Sequence, residues 1–562
     1  MRVLKSLESD LEIPQVDLLT LLFDPKWGDA EDDTVLHVEA ANPRNTVTKS
    51  EARDLVQRIA YVLRNNYGIG ASESGRDIVL ATSCGNPMIP VVFYSIVAAG
   101  GVYSGASTAF RPAELVRQMK DAGGDLRLLM CSAEYEQSTV QAAKLCGFPL
   151  DQILVLDYST PKQWTLRTSD RKDALKLGQG QRMDWERITD LKKLETTTTC
   201  LLYSSGTTGL PKGVRLSQWS LVANCVCTMY VGKRFKAQSK NSFKFSTIGH
   251  LPMANVAGIS LYSCNPFYLG GTVYWMDSFD FDRFLDYQRQ FKPSYQFSVP
   301  PIWLRIAKSP KVTDQFDSLQ VAVTGSAPIG KETMQEARQK LGKGKAFLSQ
   351  TWGTTETAGV IAALDWRVDD KSWSVGTLCP NITMRILDEN DNDVADPSRD
   401  PGEFLIGGPI LAEGYHNNDK ANRETFVDGW YRTGDIGVYK DGLVYIMDRK
   451  KELIKFKGNQ VAPAELEALL TSHPKIEDAG VIGIWNREQE TELPQAWVVR
   501  RQGSNDTPIS EQEILDFVKE NVSGYKQLRG GIVWVDEIPK SASGKILRKE
   551  LKARAEELKA KL

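Results

Sequence analysis

The sequence predicts an α/β protein of more than one domain, and three observations carry that prediction. The chain has 562 residues, too many for a single hydrophobic core. Over residues 1–200, helix-like and strand-like patterns alternate, which favours helices layered on mostly parallel sheets. From residue 463 onward a shorter succession of helices and strands reads as a compact α/β module of its own. Composition agrees: 41% apolar and 25% charged residues are ordinary globular values. A formal charge of −2 gives no basic excess that would argue for nucleic acid as a partner.

The elements follow in order. A helix is predicted over 50–65, where Leu55, Ile59, Ala60 and Leu63 recur at helical spacing. The runs at 77–82, 126–131 and 152–156 read as strands, with helices at 113–122 and 138–145. The most apolar stretch, 88–105, is broken by Pro90, Gly100 and Gly101. It falls short of a transmembrane segment and reads as a buried helix. Residues 157–187 are polar and read as a surface excursion. A Thr- and Leu-rich buried strand is expected at 196–203, and a helix at 218–230 with Ser217 as N-cap. A further strand is expected at 319–324. In the C-terminal module, Pro463 near N1 opens a helix over 463–472, 478–484 and 496–500 are strands, and Ser510 with Glu513 forms a capping box. The N-terminus, MRVLKSLESDLEIPQ, has no apolar core of a secretory signal. Eight cysteines without a C-x-x-C pair, and four histidines, give no zinc pattern and suit reduced, packed thiols.

The stretch at 203–214, YSSGTTGLPKGV, organises the rest. It gathers the hydroxyls of Ser204, Ser205, Thr207 and Thr208, the glycines Gly206, Gly209 and Gly213, and the single cation Lys212. Glycines admit a phosphate close to the backbone, and N–H groups and hydroxyls donate to its oxygens. By composition alone a surface turn suits these residues equally well, and the spacing is not G-x-x-x-x-G-K-[ST]. The order of residues, however, resembles the phosphate-binding signature of the adenylate-forming superfamily: acyl-CoA synthetases, firefly luciferases and peptide-synthetase adenylation domains.

Further motifs follow in that superfamily's order and most resemble coumarate–CoA ligase-like enzymes. Residues 249–255, GHLPMAN, stand where many acyl-CoA ligases carry an aromatic residue and then His beside the acyl pocket. Ala254 and Asn255 replace that pair, and the resemblance makes Asn255 a substrate-binding position. Gly325-Ser326-Ala327-Pro328 resembles the loop along adenine and acyl chain, which implies Gly325 for the substrate and Ser326 and Ala327 for the nucleotide. QTWGTTE at 350–356 resembles the aromatic-G-x-T-E motif. It implies Gln350 at the acid, a flat Trp352 face for adenine, and Gly353 and Thr354 beside the nucleotide. It also implies Thr355 as a donor to the α-phosphate and Glu356 as a ligand to Mg²⁺. GWYRTGDIG at 429–437 implies that Asp435 accepts both ribose hydroxyls. DRKKELIKFKG at 448–458 resembles the junction of the large and small domains. There Arg449 contacts ribose or phosphate, Lys451 is the hinge, Lys455 and Gln460 are catalytic positions, and Lys457 and Gly458 approach CoA. PKSASGKILR at 539–548 matches the last motif, with Lys545 as the catalytic lysine.

The resemblance covers nearly the whole chain. It implies a large N-terminal domain of layered α/β subdomains, 1–447, and a small mobile α/β C-terminal lid, 448–562. It implies an AMP-forming acyl-CoA ligase using ATP, Mg²⁺ and coenzyme A, with an apolar aryl or fatty acid as substrate. A stand-alone enzyme loading a carrier-protein thiol would keep the same nucleotide motifs, whereas a non-catalytic ATP-binding scaffold would have no use for Lys545. The acyl pocket is expected from 250–258, 295–301, 324–328 and 350–354. The last three residues, Ala560, Lys561 and Leu562, resemble the SKL-type peroxisomal address, which implies an import receptor as a partner and the peroxisome, otherwise the cytosol, as location.

Overall fold

The computed structural model describes residues 2–170, 174–176, 180–204, 211–239, 243–368, 371–457, 459–486, 489, 491–501, 509–541 and 544–561, the side chains of 174–176, 460 and 559–561 excepted. Among the described residues the longest sheet has nine strands. Its centre is parallel: Thr198–Ser204, Val102–Ala106, Ile78–Thr82, Leu126–Ser132 and Ile153–Asp157 lie side by side in that order. Helix Ile89–Ala98 packs on it, buried at every residue, and helix Lys49–Tyr67 packs against that helix. A parallel sheet covered in this way needs strands apolar on both faces, and Ile78–Thr82 and Val102–Ala106 are buried throughout.

The stretch 88–105 is therefore not one helix. Gly100 takes φ +78° and turns the chain, and the second half becomes a central strand. The excursion at 157–187 is also more ordered than its composition predicts. Strands Thr165–Thr168 and Ala174–Lys176 extend the long sheet antiparallel at its edge, where one face meets water and polar residues alternate freely. The N-cap at Ser217 is present, accepting from the Ser220 N–H, and its helix runs on to Gln238.

Three parallel strands, Tyr295–Ser298, Val321–Thr324 and Phe347–Gln350, form a second sheet. An antiparallel sheet built on Thr383–Leu387, Gly402–Gly407, Trp430–Lys440 and Leu443–Arg449 has a separate core around Trp352, Phe404, Tyr431 and Val444. The C-terminal module has cores of its own, one around Ile454, Leu466, Val481 and Ile514, and one around Trp497, Ile538 and Leu551. The strand Leu443–Arg449 stays paired with Trp430–Lys440 up to Arg449, two residues past the expected boundary at 447. Lys451 lies in the turn between that strand and Ile454–Phe456. In the module, helix Pro463–Ser472 forms as predicted, and the strands expected at 478–484 and 496–500 are longer, Ile476–Asn486 and Thr491–Arg500. The capping box is half made. Ser510 accepts from the Glu513 N–H, but the Glu513 carboxylate turns to the Lys475 ammonium at 3.1 Å. All eight cysteines are free and seven are buried; burial pushes the thiols of Cys200 and Cys264 up, leaving them inert.

Candidate active site

The glycine-rich loop is pinned at its base by pairing. Ser204 ends the strand Thr198–Ser204 and stands opposite Lys212, which opens the antiparallel strand Lys212–Ser217. Ser205, Gly206, Thr207, Thr208 and Gly209 lie outside the described residues. From this base a chain of contacts leads to the predicted metal ligand. The Lys212 ammonium lies 4.6 Å from the centre of the Tyr415 ring, a cation–π distance. The Tyr415 hydroxyl donates to Glu356 Oε1 at 3.0 Å. Glu356 sits in the 3₁₀ turn Thr355–Thr357, 7% exposed, so few solvent molecules compete for its second oxygen. Thr354 and Thr355 flank it on the same turn. Gly353 has no alternative residue here: a Cβ would lie 2.1 Å from the Gly359 carbonyl oxygen.

Asp435 occupies a strand, Trp430–Lys440, and not an isolated turn. Gly434 before it takes φ +71°, and a bulge follows between Ile436 and Gly437. Together they re-aim the strand so that Asp435 pairs in register with Arg449. Its Oδ1 lies 3.2 Å from Arg449 Nε, and its Oδ2 accepts from the Trp352 indole N–H at 2.8 Å. Trp352 is only 6% exposed and packs on Phe404 with ring centres 5.3 Å apart. The broad stacking face expected of it is thus a narrow exposed edge, and its direct connection is to the Asp435 carboxylate.

Lys545 reaches the same cluster from the C-terminal module. It closes a tight hairpin in which the Ser541 N–H donates to the Lys545 carbonyl at 2.8 Å. A Cβ at Gly544 would lie 3.0 Å from Pro301 Cδ, so the hairpin rests on the large domain beside the second sheet's strand ends. Burial, with the Arg449 guanidinium beside it, pushes the Lys545 ammonium down to about 8, while Asp435, Glu356 and Glu452 pull it the other way. The two expected catalytic positions Lys455 and Gln460 are cross-strand partners in the hairpin Ile454–Phe456/Asn459–Val461. Lys455 and Lys457 are exposed, and neither ammonium is ion-paired among the described residues. Lys457 takes φ 46°, held by its N–H on Thr491 Oγ1 at 2.7 Å. Gly458 and the Gln460 side chain lie outside the described residues.

An apolar pocket enclosing about 800 Å³ of empty space, part of it open to solvent, adjoins this cluster. Each expected segment contributes: Val256 and Ala257, Tyr295 and Phe297, Gly325 and Ser326, Thr351 and Gly353. Ser326 holds a left-handed φ of 74° at the exposed rim. Asn255, Ala327 and Gln350 are not on its wall. Asn255 starts a short helical turn, and the Gln350 amide donates to the Trp373 carbonyl at 3.2 Å. Sequence reasoning missed one whole wall, the helix Gln218–Gln238 with Asn224, Thr228, Met229 and Val231, and the floor at Trp366. The available sign was a pair of polar residues four apart, Asn224 and Thr228, within the mostly apolar run 221–232. His250, inside the expected region, is off the wall. It bridges the Ile248 carbonyl and Ser298 Oγ, each at 3.2 Å, and burial pushes its imidazole down to about 4, so it stays neutral.

Comparison with known proteins follows the same division. The AMP-binding enzyme profile matches residues 25–416, and the AMP-binding enzyme C-terminal domain profile matches 465–545. A protein of Emericella nidulans named as an acyl-coenzyme A synthetase is 42% identical over 98% of this chain and 97% of its own. The phenylacetyl-CoA ligase epaB of Aspergillus niger is 32% identical over 98% of this chain and 99% of its own. The 4-coumarate:CoA ligase 1 of Petunia hybrida is 35% identical over 85% and 84%. The solved structure of the anthranilate CoA ligase AuaEII with anthranoyl-AMP shares the fold, at a TM-score of 0.80 over 98% of this chain and 99% of that one, with 20% identity.

Proposed function

The chain belongs to the AMP-binding enzyme family, and from that premise we propose the reaction its cleft performs. It is an ATP-dependent acyl-CoA ligase. The carboxylate of an apolar acid attacks the α-phosphorus of ATP, and pyrophosphate leaves. The resulting acyl-adenylate is a mixed anhydride; the CoA thiolate attacks its carbonyl, and AMP leaves with the anhydride oxygen. No protein nucleophile is needed, because positioning and charge stabilisation lower the barrier. The observation that carries this reading is the convergence of Lys545 with Asp435, Arg449 and Glu356 beside an apolar pocket.

That geometry supports the following roles. Asp435, fixed by Arg449 and Trp352, accepts from the ribose hydroxyls. Lys545 and Thr355 face the α-phosphate, and the loop ending at Lys212 takes the outer phosphates. Glu356 fits Mg²⁺, since a single buried carboxylate suits a cation that takes its other ligands from phosphate and water. Bound there, the cation would neutralise phosphate charge. Lys455 and Lys457, exposed in this arrangement, serve the thioester step after the small domain turns about Lys451. The acid class is aryl or medium-length aliphatic, in keeping with Met229, Phe297, Val360 and Trp366 on the wall. The C-terminal Ala560-Lys561-Leu562, whose last residue lies outside the described residues, directs the enzyme to the peroxisome. Carboxylate-dependent ATP–pyrophosphate exchange, followed by trapping of the adenylate with CoA, tests the reaction; exchange without thioester would reassign the acceptor to another thiol. A fluorescent fusion with and without the three terminal residues tests the address.

A further inference from the structure

Resting on that ligase reading, one polar residue in the acyl pocket identifies the acid more closely. Asn265 is 3% exposed and lines the pocket. Among the described residues its side-chain amide makes no hydrogen bond. Three other polar side chains of the lining are engaged, while the Tyr295 hydroxyl on the same pocket makes no hydrogen bond among the described residues. The Asn224 amide donates to the Thr357 and Val360 carbonyls at 3.1 and 3.0 Å. The Thr228 hydroxyl donates to the Asn224 carbonyl at 2.8 Å, and that of Thr351 to the Ala362 carbonyl at 2.7 Å. An amide that opens into the pocket with no protein partner is available to bond a polar group of the ligand there.

The depth of Asn265 follows from the helices. Gln218–Gln238 runs down the pocket from Asn224, bonded beside Glu356, to Gly232, where a Cβ would meet Trp366 at 3.1 Å and Leu269 at 3.2 Å. At about 1.5 Å per residue that descent is roughly 12 Å. Leu269 packs there behind the floor at Trp366, and Asn265 opens the same short helix one turn earlier. Its neighbour Cys264 stands beside Cys225, near the top of the descent. The preceding segment, Ile259–Cys264, is wound as a π-helix ahead of Pro266, which has no N–H to donate. The wider turn leaves the Asn265 side chain on the pocket wall.

We propose that Asn265 is a specificity-determining residue, reading a hydroxyl, carbonyl or amine carried part-way along an otherwise apolar acid. The preferred substrate is an oxygenated or amine-bearing aryl or fatty acid, and the plain hydrocarbon acid of equal length is the disfavoured competitor. The test measures kcat/KM for CoA-thioester formation over matched pairs: phenylpropanoate against its ring-hydroxylated forms, and octanoate against its mid-chain hydroxy and oxo forms. Wild type is expected to favour one oxygenated position by about 10- to 100-fold, as when a substrate satisfies a buried polar group. Asn265→Leu, which keeps the branching and removes the polar atoms, is expected to bring that ratio to within about threefold while leaving the KM for ATP unchanged. Its melting temperature should stay close to wild type, because the amide has no protein partner to lose. Equal rates across every pair in wild type, a preference that survives in Asn265→Leu, or a marked fall in melting temperature would each overturn the proposal. All three leave thioester formation intact, so the ligase reading is overturned only by a different result, the absence of pyrophosphate exchange with every acid.

Discussion

Asp435 and Arg449 face each other in register on adjacent antiparallel strands, Oδ1 3.2 Å from Nε, and the other oxygen of Asp435 takes the indole N–H of Trp352. A carboxylate 4% exposed is thereby fixed from two sides at the mouth of the cleft. Asp435→Asn keeps the shape and removes the charge. A hydrogen bond to a charged group contributes about 1.5–3 kcal/mol, so the KM for ATP should rise by about 10- to 100-fold. Trp352→Phe keeps the ring and removes only the N–H; a rise of about three- to tenfold in the same constant is expected. An unchanged KM in Trp352→Phe would show that the indole does not position the carboxylate.

The Lys545 ammonium gives a pH prediction. It is pushed down to about 8, so it is charged below that pH and loses its proton above it. Phosphate stabilisation needs the charged form. The kcat/KM for ATP, which reports the free enzyme, should therefore fall as pH rises through about 8. Lys545→Arg stays charged throughout and should move that falling limb to higher pH. A limb at the same pH in Lys545→Arg assigns it to another group.

Separate assay of the two half-reactions checks the division of labour. Lys545→Ala should slow adenylate formation by about 100-fold or more yet spare thioester formation from supplied acyl-AMP. Equal loss in both would mean that Lys545 holds the lid in place and does not stabilise the phosphates.

Gly325 fixes the width of the pocket. A Cβ there would stand 3.1 Å from Thr351 Cγ2 and 3.2 Å from Phe297 Cζ. Gly325→Ala should raise the KM for bulky aryl acids by about tenfold through overpacking, with little change for short aliphatic acids or for ATP. Steady-state kinetics over an acid series separates the two.

Arg548, three residues after Lys545, donates to both oxygens of Glu467 at 2.8 and 2.7 Å and to Glu452 at 2.6 Å. These contacts tie the last helix to the turn that holds Lys451 and Glu452 and to the helix Pro463–Ser472. Glu467→Ala strands part of a largely buried guanidinium, and a loss of about 3 kcal/mol is expected in the stability of the small domain. Calorimetry should show its transition moving to lower temperature while the large domain's stays.

Much of this architecture was legible because local chemistry and the final fold agree. Helix Pro463–Ser472 matches its predicted bounds, since Pro463 starts it and His473-Pro474 ends it. Lys49–Tyr67 extends its prediction by one residue at the start and two at the end, with Thr48 and Glu51 forming the capping box and Gly68 closing it. The strand at 102–106 was hidden because an apolar run buried on both faces has no alternation to separate it from a buried helix. Thr165–Thr168 and Ala174–Lys176 were hidden because an edge strand needs few apolar residues.

The sequence by itself determined the family: motifs in a fixed order whose resemblance to the adenylate-forming superfamily implies a nucleotide and an acid. Residue order suffices for that, while composition alone suits a surface turn equally well. Tertiary structure alone decided what touches what. It turned Trp352 from a stacking surface into the partner of Asp435, linked Lys212 to Glu356 through Tyr415, and lined the acyl pocket with a helix that no motif marks. Those contacts join residues up to two hundred positions apart, and burial, which sets both their strength and the unpaired amide of Asn265, exists only once the layers close.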